Sequence, residues 1–222
     1  MSDVIYRVNE VFETIQGEGF YSGTPAVFIR MQGCDVGCPW CDTKHTWTVA
    51  LDDERSLAEI NQPSGDRQRW AQASADELLV LIQSYQAKHI VITGGEPCWY
   101  DLKPLTAKLH DQGYMCQLET SGTYDIQIDE RSFVTVSPKI NMRGKRDVLA
   151  SAMQRANEVK HPVGRQSDID ALDALLVHCP TEAQIALQPI SQQKRATDLC
   201  IQTCIDRNWR LSVQLHKYIG VL

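Results

Sequence analysis

The stretch AVFIRMQGCDVGCPWCDTKHTW, residues 26–47, sets an apolar run directly against a loop carrying Cys34, Cys38 and Cys41. Residues 26–33 are rich in β-branched and aromatic types, so they read as the first strand. Gly33, Gly37 and Pro39 let the loop wrap tightly, and thiols spaced C-x3-C-x2-C can then converge on one point.

The same order of strand, polar loop and helix recurs downstream. HIVITGGEP (89–97) reads as a buried strand ending in glycines. MCQLETSG (115–122), FVTVSPK (133–139), VKHPVG (159–164), IALQPIS (185–191) and RLSVQLHKY (210–218) read as further strands. Between them, Ser74 and Glu77 form a capping box that opens a helix with Leu78, Leu79, Leu81 and Ile82 on its apolar face. A helix through Pro104 to Leu109, DVLASAMQRANEV (147–159), SDIDALDALLVH (167–178) with Ser167 and Asp170 opening it, and QKRATDLCIQTCIDRN (193–208) complete the helical set. Residues 49–73 turn polar and read as an insertion or long connection with a short helical piece, broken at Pro63, Ser64 and Gly65.

This rhythm predicts an α/β fold with a parallel sheet and helices outside it. Near-continuous apolar strands point to burial on both faces. About six mostly parallel strands suggest an incomplete (βα) barrel forming a single domain over residues 1–222. The conspicuous polar groups all follow strand C-termini, the rim where ligands bind in such folds.

The 22 basic and 28 acidic residues leave a formal charge of −6, which disfavours gripping nucleic acid through the net field. No apolar run approaches the ~18 residues of a membrane span, and the polar start lacks the apolar core of a signal peptide. A cytoplasmic location is the default expectation. Of eight cysteines, three fall within eight residues, a density that points to metal or redox chemistry in a reducing compartment.

Three readings of that loop compete. The thiols could be buried small hydrophobes. With His45 they could close a Cys3His zinc site, although a second CxxC pair is absent. Or they could hold three corners of a 4Fe-4S cluster that normally takes four thiolates, leaving one iron open.

The cysteine spacing after one strand and GGEP after another resemble the radical S-adenosylmethionine superfamily. TIQGEGFYSGTPAVFIRMQGC (14–34), CDTKHTW (41–47), VITGGEPC (91–98), ETSGT (119–123) and TVSPKINMRG (135–144) narrow the resemblance to the 7-carboxy-7-deazaguanine synthase family over nearly the whole chain. That resemblance implies a radical SAM core and a lyase converting 6-carboxy-5,6,7,8-tetrahydropterin to 7-carboxy-7-deazaguanine with loss of ammonia, on the route to queuosine and other deazapurines. It implies a 4Fe-4S cluster, S-adenosylmethionine and Mg2+ as cofactors. The open iron would chelate the amino and carboxylate groups of S-adenosylmethionine, whose reductive cleavage yields a 5′-deoxyadenosyl radical that takes a hydrogen from the substrate.

By the same resemblance, Cys34, Cys38 and Cys41 hold the cluster and Thr43 is a magnesium ligand. Asp42, the choice from charge alone, becomes a neighbouring cofactor group, and Trp40 could pack on the cluster or the adenine. Gly94, Gly95 and Glu96 meet the methionine amino group, glycines allowing backbone approach and a carboxylate suiting an ammonium. Ser137, Pro138 and Lys139, together with Gln188, Pro189, Ile190 and Ser191, match cofactor-binding segments, and Ser121 is a further carry-over. Ile15, Gln16, Gly17, Glu18, Arg30 and Thr93 match substrate contacts; Arg30 suits a carboxylate bidentately. His216 and Lys217 are candidates near the substrate. Catalytic proton-transfer groups are not assigned.

The remaining cysteines read as core thiols: Cys200 and Cys204 share a helix face with Ala196 and Leu199, and Cys98, Cys116 and Cys179 are scattered. His89, His110, His161 and His178 show no ligand spacing. A chain short for six full βα units predicts that loops or a partner subunit replace some helices, and exposed sheet edges predict a homodimer. The expected partners are the pterin and an electron donor such as flavodoxin or ferredoxin, with neither nucleic acid nor membrane bound directly.

Overall fold

The computed structural model describes residues 4–63, 65 and 67–221; Ser64, one of the three expected breakers, lies outside them. Along the chain run β1 (Ile5–Ile15), β2 (Pro25–Met31), α1 (Leu57–Ile60), β3 (Ala71–Ser74), α2 (Ala75–Ile82), β4 (His89–Gly94), α3 (Lys103–Asp111), β5 (Met115–Thr120) and β6 (Phe133–Val136). Then follow α4 (Ala150–Gln154), β7 (Glu158–Val163), α5 (Gln166–Leu176), β8 (Gln184–Pro189), α6 (Lys194–Arg207), β9 (Arg210–Leu211) and α7 (Leu215–Ile219). The described strands form one nine-stranded sheet, ordered β3-β1-β2-β4-β5-β6-β7-β8-β9. From β2 through β9 neighbouring strands pair parallel, whereas β1 pairs antiparallel with both β2 and β3.

Strand alternation sorts the side chains into two unlike faces. Val27, Ile29, Ile90, Ile92, Cys116, Leu118, Val134, Val136 and Val159 belong to the buried apolar core together with Leu78, Ile82, Leu105 and Leu109 of α2 and α3. The alternate positions carry Arg30, His89, Thr93, Gln117, Glu119, Thr135, Glu158 and Lys160. Burial on both faces is therefore present, but the second face is a packed polar layer. His89, Gln117, Thr135, Glu158 and Lys160 are all buried there.

Several expectations are corrected. The run at 26–33 forms the second strand, because β1 precedes it. Between Val8 and Glu10 the β1–β2 register slips. The buried Asn9 amide donates there to Gln32 Oε1 (2.9 Å) and the Arg69 carbonyl (2.6 Å). This bulge breaks the alternation that would have marked a strand. The strand count is nine rather than about six; β1 and β3 are the two with no counterpart among the runs read as strands.

The 49–73 segment, with its expected short helical piece, is built into the fold. It holds a 3₁₀ turn at Leu51–Asp53 and α1, and ends in the edge strand β3. Trp70 is buried and its indole donates to the Ala50 carbonyl at 2.8 Å. The helix expected over 147–159 is only α4, because residue 158 already starts β7. The cap of α5 is Arg165, two residues before the expected Ser167, and Asp168 accepts from the Gly164 and Arg165 amides at 2.8 and 3.0 Å. The expected closing strand over 210–218 is β9 followed by α7, although the alternation of Leu211, Val213 and Leu215 runs on past the strand.

The Ser74–Glu77 capping box forms as expected, with Ser74 N–H donating to Glu77 Oε2 at 2.8 Å. No helix is described between β5 and β6, so a loop replaces it. Cys98, Cys116, Cys200 and Cys204 are buried, while Cys179 is half-buried. Among the described residues no helix is long and apolar enough to cross a membrane.

Candidate active site

The C-terminal ends of the parallel strands surround a cleft of about 370 Å³. The loop after β2 brings Cys34, Cys38 and Cys41 to its wall, together with Trp40, Asp42 and Thr43. Burial pushes the Cys34 thiol up to about 12, with Glu96, Cys38 and Cys41 adding to the effect. All three thiols line this one cleft. Thr43 Oγ1 lies 3.6 Å from Cys41 Sγ.

Two glycines after β4 make room for this loop. A Cβ on Gly94 would lie 2.3 Å from the Met31 amide nitrogen, and one on Gly95 would lie 2.2 Å from the Gly33 carbonyl oxygen. Gly94 also has φ near +121°, a region L side chains avoid. The Gly95 and Glu96 amides donate to the Met31 and Gly33 carbonyls, at 3.0 and 2.8 Å. The GGE segment is thus stitched to the root of the cysteine loop.

Glu96 lines the cleft, but its carboxylate is also engaged within the fold. Oε1 accepts from the Cys98 amide (3.0 Å) and Thr120 Oγ1 (2.7 Å), and Oε2 accepts from the Ser121 amide (3.0 Å) and hydroxyl. Ser121 therefore orients Glu96 across the β4–β5 boundary.

The opposite side of the cleft is the polar layer of the sheet. Ile15, Gln16, Gly17 and Glu18 arrive from the end of β1, and Arg30 and Thr93 face each other in register on β2 and β4. Arg30 Nε donates to Glu10 Oε1 at 2.5 Å, and its terminal nitrogens have no further bond among the described residues. Phe12 and Phe28 stack with centroids 5.4 Å apart and form a flat wall. Lys160 Nζ donates to Glu18 Oε2 and Glu119 Oε2, each at 2.8 Å.

These three charges have divided fates. Burial works against the Glu18 carboxylate, but Lys160 and hydrogen bonds from Lys160 and Gln214 outweigh it and hold the group at about 2. Burial pushes Glu119 up to about 7; Lys160 opposes this, while Glu18 and Glu158 reinforce it. Burial disfavours the Lys160 cation, but its carboxylate neighbours reverse that and hold it firmly charged.

Ser137, Lys139, Gln188, Pro189, Ile190 and Ser191 close the third side. His216 and Lys217 line the cleft from α7, where the Leu215 amide donates to the Gly17 carbonyl at 2.9 Å. Pro138 is the predicted site residue that the cleft leaves out; it borders a neighbouring cavity beneath α5. His45, the rival fourth ligand, is not among the cleft-lining residues either.

Glu119, Lys160, Phe12, Phe28 and Gln214 are cleft residues that sequence reasoning missed. Period-two counting back from Arg30 finds Phe28, and counting along β5 and β7 finds the charged pair.

The donor set fits an iron–sulfur cluster. No three His, Cys, Asp or Glu side chains among the described residues are gathered tightly enough for a single metal ion. Three thiols spread around one cleft suit a cubane, whose corners are separate irons.

Comparison with known proteins agrees with this geometry. A family model described as "4Fe-4S single cluster domain" matches residues 15–122. The 7-carboxy-7-deazaguanine synthase of Escherichia coli K12 is 56% identical over 220 residues, covering 97% of this chain and 99% of that one. The synthase of Buchnera aphidicola is 45% identical with the same coverages, and that of Synechocystis is 33% identical over 98% of this chain and 94% of its own. The crystal structure of QueE from Escherichia coli superposes with a TM-score of 0.92, covering 96% of this chain and 95% of that one at 56% identity. With the whole chain aligned at these identities, and its cysteine loop and strand-end loops gathered around one cleft, the chain belongs to the 7-carboxy-7-deazaguanine synthase family.

Proposed function

We propose that this chain is a radical SAM lyase that converts 6-carboxy-5,6,7,8-tetrahydropterin to 7-carboxy-7-deazaguanine with loss of ammonia, a step toward queuosine. The observation that carries this reading is a single cleft. The three cysteines line one wall of it, while Gln16, Glu18 and Arg30 line the other.

Cys34, Cys38 and Cys41 would hold the 4Fe-4S cluster. Gly94, Gly95, Glu96, Ser121, Ser137, Lys139, Gln188, Pro189, Ile190 and Ser191 would hold S-adenosylmethionine, with Trp40 and Asp42 beside it. Thr43 would take Mg2+, a hard cation content with hydroxyl, water and substrate oxygens. When bound, these groups supply one-electron cleavage of a carbon–sulfur bond and abstraction of a substrate hydrogen.

The chain's own residues bind and aim the substrate. Glu10 fixes Arg30 through Nε and leaves the guanidinium fork free for the pterin carboxylate. The stacked Phe12 and Phe28 offer an apolar face to the flat ring. Gln16 and the ionised Glu18 present acceptors to the ring's N–H edge, and Lys160 neutralises the carboxylates beneath it. Pro138 acts as support for Ser137 and Lys139.

A single domain with a partial-barrel core, a cytoplasmic location, a homodimer and a flavodoxin or ferredoxin as electron donor complete the reading. The described edge strands, β3 and β9, have four and two residues, so a dimer would have to form through another surface.

Protein purified without oxygen should carry iron and acid-labile sulfide. With reductant, S-adenosylmethionine and the carboxy-tetrahydropterin it should form the deazapurine chromophore. Stoichiometric zinc without iron would overturn the reading. A loaded cluster with no deazapurine would overturn the substrate assignment. Arg30→Ala should raise the KM for the pterin at least tenfold while iron content stays unchanged.

A further inference from the structure

The run that follows β9 holds the pterin side of the cleft from behind. The Gly19 amide donates to Ser212 Oγ at 3.0 Å, Gln214 Nε2 donates to Glu18 Oε1 at 2.9 Å, and the Leu215 amide donates to the Gly17 carbonyl at 2.9 Å. Each residue of the 17–19 turn is thus bonded to a residue between 212 and 215. On its other side the turn rests on the buried Glu158, since a Cβ on Gly19 would lie 2.7 Å from Glu158 Oε2.

Ser212 differs from its neighbours in facing both ways. Its hydroxyl also donates to Gln188 Oε1 at 3.1 Å, and its amide donates to the Leu187 carbonyl at 2.9 Å. The parallel pairing of β8 with β9 puts it there, because Leu187 lies opposite Leu211 and Ser212 is the next residue. A hydroxyl has one proton and two lone pairs. With that proton donated to Gln188 Oε1, the Ser212 oxygen accepts from Gly19. The same bond turns the Gln188 amide so that Nε2, which has no partner among the described residues, is the end left for the cleft. Ser212 itself is buried and is not among the cleft-lining residues.

We propose that Ser212 is a positioning residue that couples the binding of S-adenosylmethionine to the binding of the pterin. The proposal rests on the reading above, in which Gln188 meets the cofactor and Glu18 meets the substrate. A cofactor acceptor that bonds Gln188 Nε2 fixes the amide and polarises its Oε1 toward the Ser212 proton. Ser212 Oγ then becomes a better acceptor for the Gly19 amide. The turn that carries Glu18 is ordered before the pterin arrives, so the second ligand meets a smaller entropic penalty. Linkage makes the effect reciprocal, and the pterin tightens the cofactor by the same factor. The cleft therefore fills with both ligands together, which suits a reaction that needs its target in place before it starts.

The test is equilibrium binding to anaerobic, cluster-loaded protein without reductant, so that nothing turns over. The Kd of 6-carboxy-5,6,7,8-tetrahydropterin is measured with and without saturating S-adenosylmethionine, and the ratio is the coupling factor. Wild type should give a factor of about five or more. Ser212→Ala should bring it below about twofold with iron content unchanged, and Ser212→Cys, whose thiol is a weaker donor and acceptor, should lower it as well. Gln214→Ala breaks the bond to Glu18 but touches no cofactor segment. It should weaken pterin binding severalfold in both conditions and leave the coupling factor within about twofold of wild type. A wild-type coupling factor in Ser212→Ala or Ser212→Cys, or an equal fall in Gln214→Ala, would overturn the role of Ser212. Wild type that binds both ligands without coupling would overturn it too. Failure of wild type to bind the pterin at all would strike the proposed function, and the coupling with it.

Discussion

Lys160 is the residue on which the polar face of the sheet depends. It lies 2.8 Å from carboxylate oxygens of both Glu18 and Glu119, and its side chain is only 6% exposed. One cation cannot fully satisfy two buried carboxylates with Glu158 close by, so one of them must give way. Glu18, which also receives Gln214 at 2.9 Å, keeps its charge. Glu119, raised to about 7, holds its proton. The consequence for stability has a definite sign. The unfolded chain releases the Glu119 proton near its ordinary value of 4.5, while the folded chain holds it to about 7. Stability from this group is full below the lower value and is lost as pH rises through that window, by on the order of 3 kcal/mol. Glu18 acts in the other direction but below pH 4.5, so the two effects separate. Glu119→Gln should therefore lose less stability than wild type between pH 5 and 7, by several degrees in Tm, in anaerobic melting curves at the two values. Parallel pH profiles for the two proteins would refute the assignment.

At the scale of elements, legibility followed how local the signal was. α2 could be read because its cap and apolar face lie within nine residues, Ser74 through Ile82. β1 could not, because the bulge at Asn9 and the inward-facing Glu10 look like a polar stretch until Arg30 is placed beside them. The candidate site residues, Pro138 excepted, all line one cleft because their motifs sit at strand ends. Lys160 and Glu119 were silent because their meaning depends on β5 and β7 facing a common cleft. α7 was misread as a strand, and its role is a clasp. Besides the Leu215–Gly17 bond, a Cβ on Gly17 would fall 2.4 Å from His216 Nδ1 and 3.0 Å from the His216 amide nitrogen. Gly17 does not sit in the left-handed region, so alanine is acceptable to the backbone and objectionable only to α7. Gly17→Ala should displace the clasp and raise the KM for the pterin about tenfold, with iron content and melting temperature near wild type. An unchanged KM would mean that α7 merely rests on the cleft.

Over the whole molecule, the stable sheet and the reactive rim are joined at few points, and this predicts where order depends on the cluster. The cysteine loop has little apolar anchorage of its own: Val36 and Cys38 are buried, whereas Asp35, Pro39 and Trp40 are exposed. It is tied to the GGE segment at its root and, at its crown, to a strap formed by residues 140–147, whose Gly144 amide donates to the Val36 carbonyl at 3.0 Å. A bound cluster would supply the cross-link that such a loop lacks, as ligand binding stabilises the state that holds it. The strap, clasped to Val36, should share that dependence, while β4 and β5, deep in the apolar core, should not. Cys38→Ala should therefore lose the cluster and, with it, amide protection in the strap. Hydrogen exchange of Gly144, whose amide bonds Val36, should speed up by tenfold or more. Exchange of Ile92 and Leu118 in the core strands should stay within about twofold of wild type. Equal acceleration at all three amides would mean that the cluster holds the entire fold together. Normal iron content in the variant would remove Cys38 from the cluster. Acceleration confined to the strap and cysteine loop would identify them as one unit, ordered together by the cluster.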